Sequence, residues 1–321
     1  MPVLKVAKVD VWGKEYVSQD HPIIHHRNSP YSLEVIIIEF FAQLLTILDK
    51  KMVAPIPYGE FHILFIVLSI LIGFLVAKHC PYEKESFIRR FLLIESIIVI
   101  ILEIYKQINF SFYVEGNQIV FDYQWYVFPF QFCSTPMYIG LLAAIIKNKF
   151  AHRCLCSYLV SYAMFAGICV MAYPTTVFVD TIGINIQTMV CHGSMITVGI
   201  VLFNTGYVKA ELKTLFSALP IFLLLVMGAA TMNEVAYQTG LLSTDTFNMF
   251  FISPYCSPEL PVYAQIQPIV PFPLSVLIYI AGFTAGAGIL LLVGKALQIL
   301  TVAPSTRRSS PQLSRKQPLI H

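Results

Sequence analysis

The sequence predicts an all-α, polytopic membrane bundle of about seven transmembrane helices, preceded by an amino-terminal helix lying in the interface. Three observations predict it. Of the 321 residues, 57% are hydrophobic and only 12% charged, whereas soluble domains carry about 25% charge. Long runs such as 61–77 and 273–294 contain no Asp, Glu, Lys or Arg, and about 18 such residues let a helix cross a hydrocarbon core of ~30 Å. The connections between the runs alternate in charge, basic then acidic, as the loops of a polytopic membrane protein do.

The elements follow in order. Residues 1–57 form an amino-terminal segment whose apolar stretch, 35–48, is short. It carries Glu39, Gln43, Thr46 and, just beyond, Lys50 at helical spacing. A polar stripe on so short an apolar helix predicts an interfacial helix rather than a span. The transmembrane domain, 58–299, is expected to hold helices near 61–78, 88–107, 126–147, 154–173, 185–204, 212–232 and 272–297. The basic tail, 300–321, is rich in Ser, Pro and Arg and is expected to be disordered and cytoplasmic. Its Arg-Arg-Ser-Ser run and its Arg315–Ile320 stretch, similar to a dileucine-type sorting signal, are patterns that chance often produces. The first thirty residues hold no apolar core followed by a small-residue cleavage site, so the first transmembrane helix is expected to direct insertion.

Loop charge orients the bundle. One set of connections holds Lys78, Lys84, Arg89 and Arg90, then Lys147, Lys149 and Arg153, then Lys209 and Lys213. The alternate set, 107–125, 174–184 and 233–271, holds no Lys or Arg but carries Glu115, Asp122, Asp180, Glu234, Asp245 and Glu259. Positive charge stays inside, so the basic set and the carboxyl terminus are expected in the cytoplasm. A bacterial cytoplasmic membrane and a eukaryotic endomembrane both fit. The net charge of +3 signals no nucleic-acid partner. Seven cysteines, odd in number and without Cys-x-x-Cys spacing, signal neither a disulfide framework nor a zinc site. No metal and no cofactor are expected; membrane lipids are the expected partners.

Polar groups at membrane depth are costly and face a bundle interior, which makes them the functional candidates. Cys133 lies about nine residues into the third helix, or ~13 Å, and His192 about seven residues into the fifth, or ~10 Å. Both helices enter from the acidic side. Glu103 and, one turn on, Lys106 reach the same layer from helix two, Asn233 and Glu234 from helix six, and Glu60 and His62 from helix one. A thiol and an imidazole at matched depth suggest nucleophilic catalysis: the imidazole takes the thiol proton and the thiolate attacks an ester carbonyl. Asn233, Gln131 or Glu103 would orient the imidazole or bind the oxyanion. Buried packing residues would look the same in sequence. Pro129, four residues before Cys133, is expected to kink helix three and open it beside the thiol. Tyr123, Trp125 and Tyr126 mark the interface.

Several stretches together resemble the YwaF-like family of membrane proteins. They are Tyr123-Gln-Trp-Tyr-Val-Phe-Pro-Phe-Gln-Phe-Cys-Ser-Thr-Pro136, Asp180-Thr-Ile-Gly-Ile-Asn-Ile-Gln-Thr-Met-Val-Cys-His-Gly193, Glu103-Ile-Tyr-Lys-Gln107 and Tyr58-Gly-Glu-Phe-His62. Asn233 and Asn248-Met-Phe-Phe251 complete the set. The YwaF-like group is related to the transmembrane protein 164 family, regarded as phospholipid acyltransferases. The resemblance implies an acyl-transfer pair on the third and fifth helices, which falls on Cys133 and His192. Bacterial members tend to carry a histidine where this chain has Gln131. The layout is also similar to that of intramembrane Thr/His lipid hydrolases.

The expected function is therefore that of an acyltransferase or lipid esterase acting on phospholipid or lysophospholipid, with Cys133 and His192 catalytic and Asn233, Gln131, Glu103, His62 and Asn248 supporting. The alternative is a non-enzymatic transporter or assembly factor whose polar path Glu103, Lys106 and His192 would line.

Overall fold

The computed structural model describes residues 8–9, 15–16, 33–116, 118–174, 177–240, 246–257 and 260–302; the tail motifs lie outside them. Helices dominate. They are α1 (Leu33–Leu48), α2 (Glu60–Lys78), α3 (Lys84–Asn109), α4 (Thr135–Ile145), α5 (Lys149–Tyr158), α6 (Met164–Ala172), α7 (Ile182–Asn204), α8 (Leu212–Thr239), α9 (Tyr263–Ile266) and α10 (Phe272–Val302). A π-helical segment, Leu159–Ala163, joins α5 to α6 in one continuous rod. The two-residue strands β1 (Lys8–Val9) and β2 (Glu15–Tyr16) pair antiparallel.

Among the described residues, five helices are long and apolar enough to cross a membrane: α2, the α5–α6 rod, α7, α8 and α10. The chain is an integral membrane protein. Its α3 is a 26-residue helix, but it carries Arg89, Arg90, Glu95, Glu103 and Lys106 along its length. The α4 helix has only 11 residues. Both depart from a simple count of apolar runs.

The region expected to be one helix, 126–147, is broken in its first half. Trp125–Val127 and Phe132–Ser134 are separate 3-10 turns. Between them Phe128 takes φ −47 and ψ 134, and Gln131 takes φ −67 and ψ 156, both outside the helical region. Pro129 is the cause. It removes a donor and drives the preceding residue out of the helical region, and here that ends the helix rather than kinking it. The helical rise used to place Cys133 therefore does not apply to this segment. Cys133 sits instead at the amino-terminal approach to α4.

The bundle is organised around α7, which packs against α2, α3 and α6, while α3 packs on α4, α5 on α8, and α10 on α8 and the π-helical segment. Burial separates centre from periphery: 72% of the apolar window of α7 lies inside the protein but only 17% of the windows of α2 and α10, so the last two turn most of their surface to lipid. Glycine permits the closest approach. A Cβ on Gly167 of α6 would lie 2.8 Å from the backbone oxygen of His192, an atom that cannot yield. An aromatic core fills the other half, with Tyr162 stacked on Phe222 at 4.3 Å and Phe283 against Tyr279 at 4.6 Å.

The connections gather by charge, as the sequence predicts. At the basic end, Arg89 donates through Nη1 to the carbonyls of Ala143, Ala144 and Ile146 at 3.1, 3.2 and 2.7 Å. A cation on the last carbonyls of α4 satisfies groups that have no intrahelical partner. Lys84 Nζ donates to Thr205 O at 2.5 Å, and His152 Nε2 accepts from Tyr207 Oη at 2.6 Å. At the acidic end, Lys51 pairs with Asp49 at 3.0 Å and Asp180 at 3.4 Å.

The acidic-end connection after α3 holds an element the apolar pattern did not signal, a hairpin of β3 (Phe112–Glu115) and β4 (Gln118–Phe121). Gly116, at φ 60, begins its turn, the conformation glycine takes without steric cost. The carboxyl end of α1 docks beside it, where Leu48 O accepts from Tyr105 Oη at 2.7 Å and from Asn109 Nδ2 at 3.4 Å. Most of α1 beyond that contact is exposed apolar surface, including Ile36, Phe40, Phe41 and Ile47.

Candidate functional site

Three helices meet around Cys133. The thiol of Cys191, on α7, donates to Cys133 O at 3.4 Å, and Val99 of α3, Met137 of α4 and Met195 of α7 pack around the two cysteines. His192 is the next residue on α7. Its Nδ1 faces Thr188 O at 2.8 Å. A carbonyl only accepts, so Nδ1 carries the proton, and in the neutral ring Nε2 is left as an unprotonated acceptor. Among the described residues, Nε2 makes no hydrogen bond and none joins the Cys133 thiol to the imidazole. Cys133 thus lies against the α7 turn that carries His192, while a direct thiol–imidazole bond is not formed.

A buried polar network lies beside this contact. Lys106 Nζ lies 2.8 Å from Glu103 Oε1, with the two side chains 13% and 5% exposed. Gln107 Nε2 donates to Glu103 Oε1 at 2.7 Å and to Val127 O at 2.8 Å. Gln187 Nε2, from α7, donates to Glu103 Oε2 at 3.3 Å. Glu103 thus accepts from three side chains and ties α3 to α7 at Gln187, about one and a half turns before His192. Lys106 sits close enough to act electrostatically on both Cys133 and His192. Tyr123 Oη donates to Gln107 Oε1 at 2.6 Å. Burial first, and then the Glu103 charge, push the Tyr123 phenol up to about 12, so it remains a donor at neutral pH. Of the three residues named for a polar path, Glu103 and Lys106 bond to each other, and His192 takes no part in the network.

Four expected supporting residues are engaged elsewhere. Asn233 Nδ2 donates to Met249 O at 3.0 Å, and Asn233 Oδ1 accepts from Met249 N at 2.7 Å. Gln131 Nε2 donates to Tyr126 O and Asn248 O at 3.2 and 3.1 Å, and its Oε1 accepts from Phe250 N at 3.3 Å. Asn248 Oδ1 accepts from Ser253 N at 2.8 Å. These amides hold the 247–253 loop, where Phe250 and Phe251 take φ values of 60 and 57. A positive φ on a bulky residue is costly and survives only where its surroundings fix it. The expectation that Asn233 or Gln131 orients the imidazole is thus replaced by loop anchoring. His62 accepts from Tyr58 N through Nδ1 at 3.0 Å and packs edge-on to Phe178 at 5.5 Å. It closes the start of α2, in a cluster apart from Cys133.

The anchoring role predicts the outcome of Asn233→Ala. Two buried hydrogen bonds are lost, the Met249 amide is left unpaired and its carbonyl keeps only the 3.4 Å bond from Ile252 N, a cost of ~2–3 kcal/mol. We expect a lowered melting temperature and faster proteolysis within 246–257. A variant that melts like the unsubstituted protein yet loses activity would return Asn233 to the chemistry.

Two features escaped sequence reading. Ser134, 1% exposed, has a buried hydroxyl with no hydrogen-bond partner, a state costing ~1–3 kcal/mol. Only its adjacency to Cys133 hinted at it. The second is a thiol–imidazole contact at the basic end, where Cys156 Sγ lies 3.6 Å from His152 Nε2. His152 is also bonded to Ala143 O at 2.8 Å and to Tyr207, which makes it a buried strut. Its i, i+4 spacing from Cys156 was legible but unremarkable. Among the described residues no three His, Cys, Asp or Glu side chains gather as metal ligands. A surface cavity of about 350 Å³ lies at the acidic end of α8 and α10, walled by Ala230, Glu234, Ile252, Pro254 and Phe272; neither Cys133 nor His192 lines it.

The model of the TMEM164 family matches residues 57–292, well over half of the chain. No curated protein and no solved structure matches.

Proposed function

The chain belongs to the TMEM164 family, and from that premise we propose that it transfers acyl chains of membrane phospholipids, with Cys133 as nucleophile and His192 as base. The observation that carries the proposal is the meeting of Cys133 with the α7 turn that bears His192, whose Nε2 is unprotonated and unbonded. His192 Nε2 takes the thiol proton as Sγ attacks the ester carbonyl. The tetrahedral adduct collapses, the ester C–O bond breaks, and the proton passes to the departing lysophospholipid hydroxyl. In the second half, His192 deprotonates the acceptor hydroxyl, which attacks the thioester; the S–C bond breaks and the thiol regains its proton. Water as acceptor would make the same site an esterase. The movement that joins thiol and imidazole belongs to substrate binding, since catalytic contacts often tighten only in the complex.

The topology that goes with this reading has seven crossings, with α3 and the short Phe132–Ile145 segment completing the five apolar spans. The short segment is compatible with a crossing because its broken approach lies inside the protein, where irregular backbone at membrane depth is tolerated. The basic end and the tail face the cytoplasm, and the acyl chain enters from the opposite leaflet.

The test uses the full chain in lipid nanodiscs holding an isotopically acyl-labelled phospholipid and an unlabelled lysophospholipid. The expected result is label transfer, with a hydroxylamine-labile acyl adduct on Cys133 and no product from Cys133→Ala. Transfer no faster than in empty nanodiscs, or full activity in Cys133→Ala, would overturn the proposal.

A further inference from the structure

An acyl transfer needs donors aimed at the oxyanion of its tetrahedral adduct, and the amides first expected to supply them hold the 247–253 loop instead. The structure leaves another donor free. Ser134 is the residue before α4, a position where a serine normally caps the helix by accepting an N–H from its first turn. It does not do so here. Its backbone is helical, at φ −84 and ψ −23, rather than extended as a cap requires. Pro136, in the first turn, has no N–H to offer. The hydroxyl is buried without a hydrogen-bond partner of good geometry, and the group it reaches is the thiol of the adjacent Cys133, the nucleophile itself.

A second donor lies beside it. Among the described residues, the Cys133 amide donates to no backbone carbonyl, while the next amides, of Ser134 and Thr135, both reach Gln131 O, at 2.9 and 3.3 Å. The Cys133 amide faces its own side chain. Both donors stand at the amino-terminal, partially positive end of the 11-residue helix α4; the nearby Lys106 ammonium acts in the same sense and is opposed by its partner Glu103.

We propose that the Ser134 hydroxyl and the Cys133 amide form the oxyanion hole for acyl transfer through Cys133. This rests on the acyl-transfer reading above. When Sγ bonds to the carbonyl carbon, the C=O π electrons move to oxygen, and the oxygen accepts from the two donors until the ester C–O bond breaks and the carbonyl reforms. Ser134 neither gains nor loses a proton. A donor whose ground-state neighbour is only the attacking thiol gives up little when the oxyanion forms, so its bond to the reacting oxygen is made in the transition state.

Two reagents separate this role from a structural one. A 4-nitrophenyl fatty-acyl ester reacts with Cys133 through a tetrahedral oxyanion; iodoacetamide alkylates the same thiol by direct displacement, without one. With the full chain in nanodiscs and the Cys133 adduct followed by mass spectrometry, Ser134→Ala is expected to slow acylation ~100-fold while alkylation stays within about twofold. Ser134→Thr, which keeps the hydroxyl, is expected to recover most of the acylation rate. If Ser134→Ala does not fold, Ser134→Gly compared with Ser134→Thr carries the same contrast. An equal fall with both reagents means that Ser134 sets the thiol rather than the oxyanion, and overturns the proposal. Unchanged acylation in Ser134→Ala overturns it too, with the acyl-transfer reading intact. An unsubstituted protein that alkylates at Cys133 but never acylates there overturns both.

Discussion

Replacing His192 with glutamine is expected to lower acyl transfer about a thousandfold while leaving the fold in place, the range that a positioned general base contributes. The reason lies in how the ring is held. Its Nδ1 is committed to Thr188 O, one turn back on the same helix, at 2.8 Å. That bond fixes the ring orientation and the tautomer that exposes Nε2 as a base. Glutamine fills much of the same volume and still donates to the carbonyl, but its amide is not a base near neutral pH. The substitution therefore removes proton transfer and little else. It is measured as the rate of label transfer between phospholipid and lysophospholipid in nanodiscs, alongside the melting temperature. Retention of a tenth or more of the rate would show that another group takes the Cys133 proton. Alkylation by iodoacetamide at fixed pH should also slow in His192→Gln.

The second large effect is on stability. Glu103→Ala is expected to cost ~3–5 kcal/mol, because it strands the buried Lys106 ammonium without its counter-charge. The loss is compounded by geometry. Glu103 Oε1 serves Lys106 at 2.8 Å and Gln107 at 2.7 Å, and Oε2 serves Gln187 at 3.3 Å. One truncation thus removes partners from three side chains, including the Gln187 bridge from α3 to α7. The melting temperature should fall on the order of 10 °C. The paired change Glu103→Leu with Lys106→Met should be much milder, since replacing both members of a buried ion pair leaves no bare charge. A Glu103→Ala protein that melts within about 2 °C of the original would mean that water reaches Lys106 and that the network is not sealed.

Much of the fold was legible because the signals are local. The runs that became α2, α7, α8 and α10 are long and nearly free of charge, so their backbone groups can only be satisfied within a helix in lipid. The expected bounds differ from those observed by a few residues, as at 61–78 against Glu60–Lys78, or at 212–232 against Leu212–Thr239, which runs on to the left-handed Gly240. The β3–β4 hairpin was missed because each strand has only four residues and lies in a connection judged by its charge. The region before Cys133 was misjudged for a different reason. Pro129 was correctly seen as a break in the hydrogen-bond pattern, but whether a proline bends a helix or ends it depends on what else can bind the freed backbone. Here the Gln131 side chain, bonded to Tyr126 O, Asn248 O and Phe250 N, supplies that support. These partners lie as far as 119 positions away.

The sequence by itself determined that this is a helical membrane protein of the TMEM164 family and that its connections separate into a basic and an acidic set. Hydropathy, loop charge and family motifs are properties of contiguous residues, and they survive without knowledge of partners. Only the tertiary structure decided what each polar side chain singled out for the site does. Asn233, Gln131 and Asn248 have the same donors and acceptors whether they bind an oxyanion or a loop, and the packing of the 247–253 segment against α8 assigns them to the loop. Glu103 is drawn into a closed network by Lys106, Gln107 and Gln187. Ser134, beside the thiol and before Pro136, is left with no capping bond, because a hydrogen bond is chosen by what lies within about 3 Å in space and not by what lies nearby along the chain.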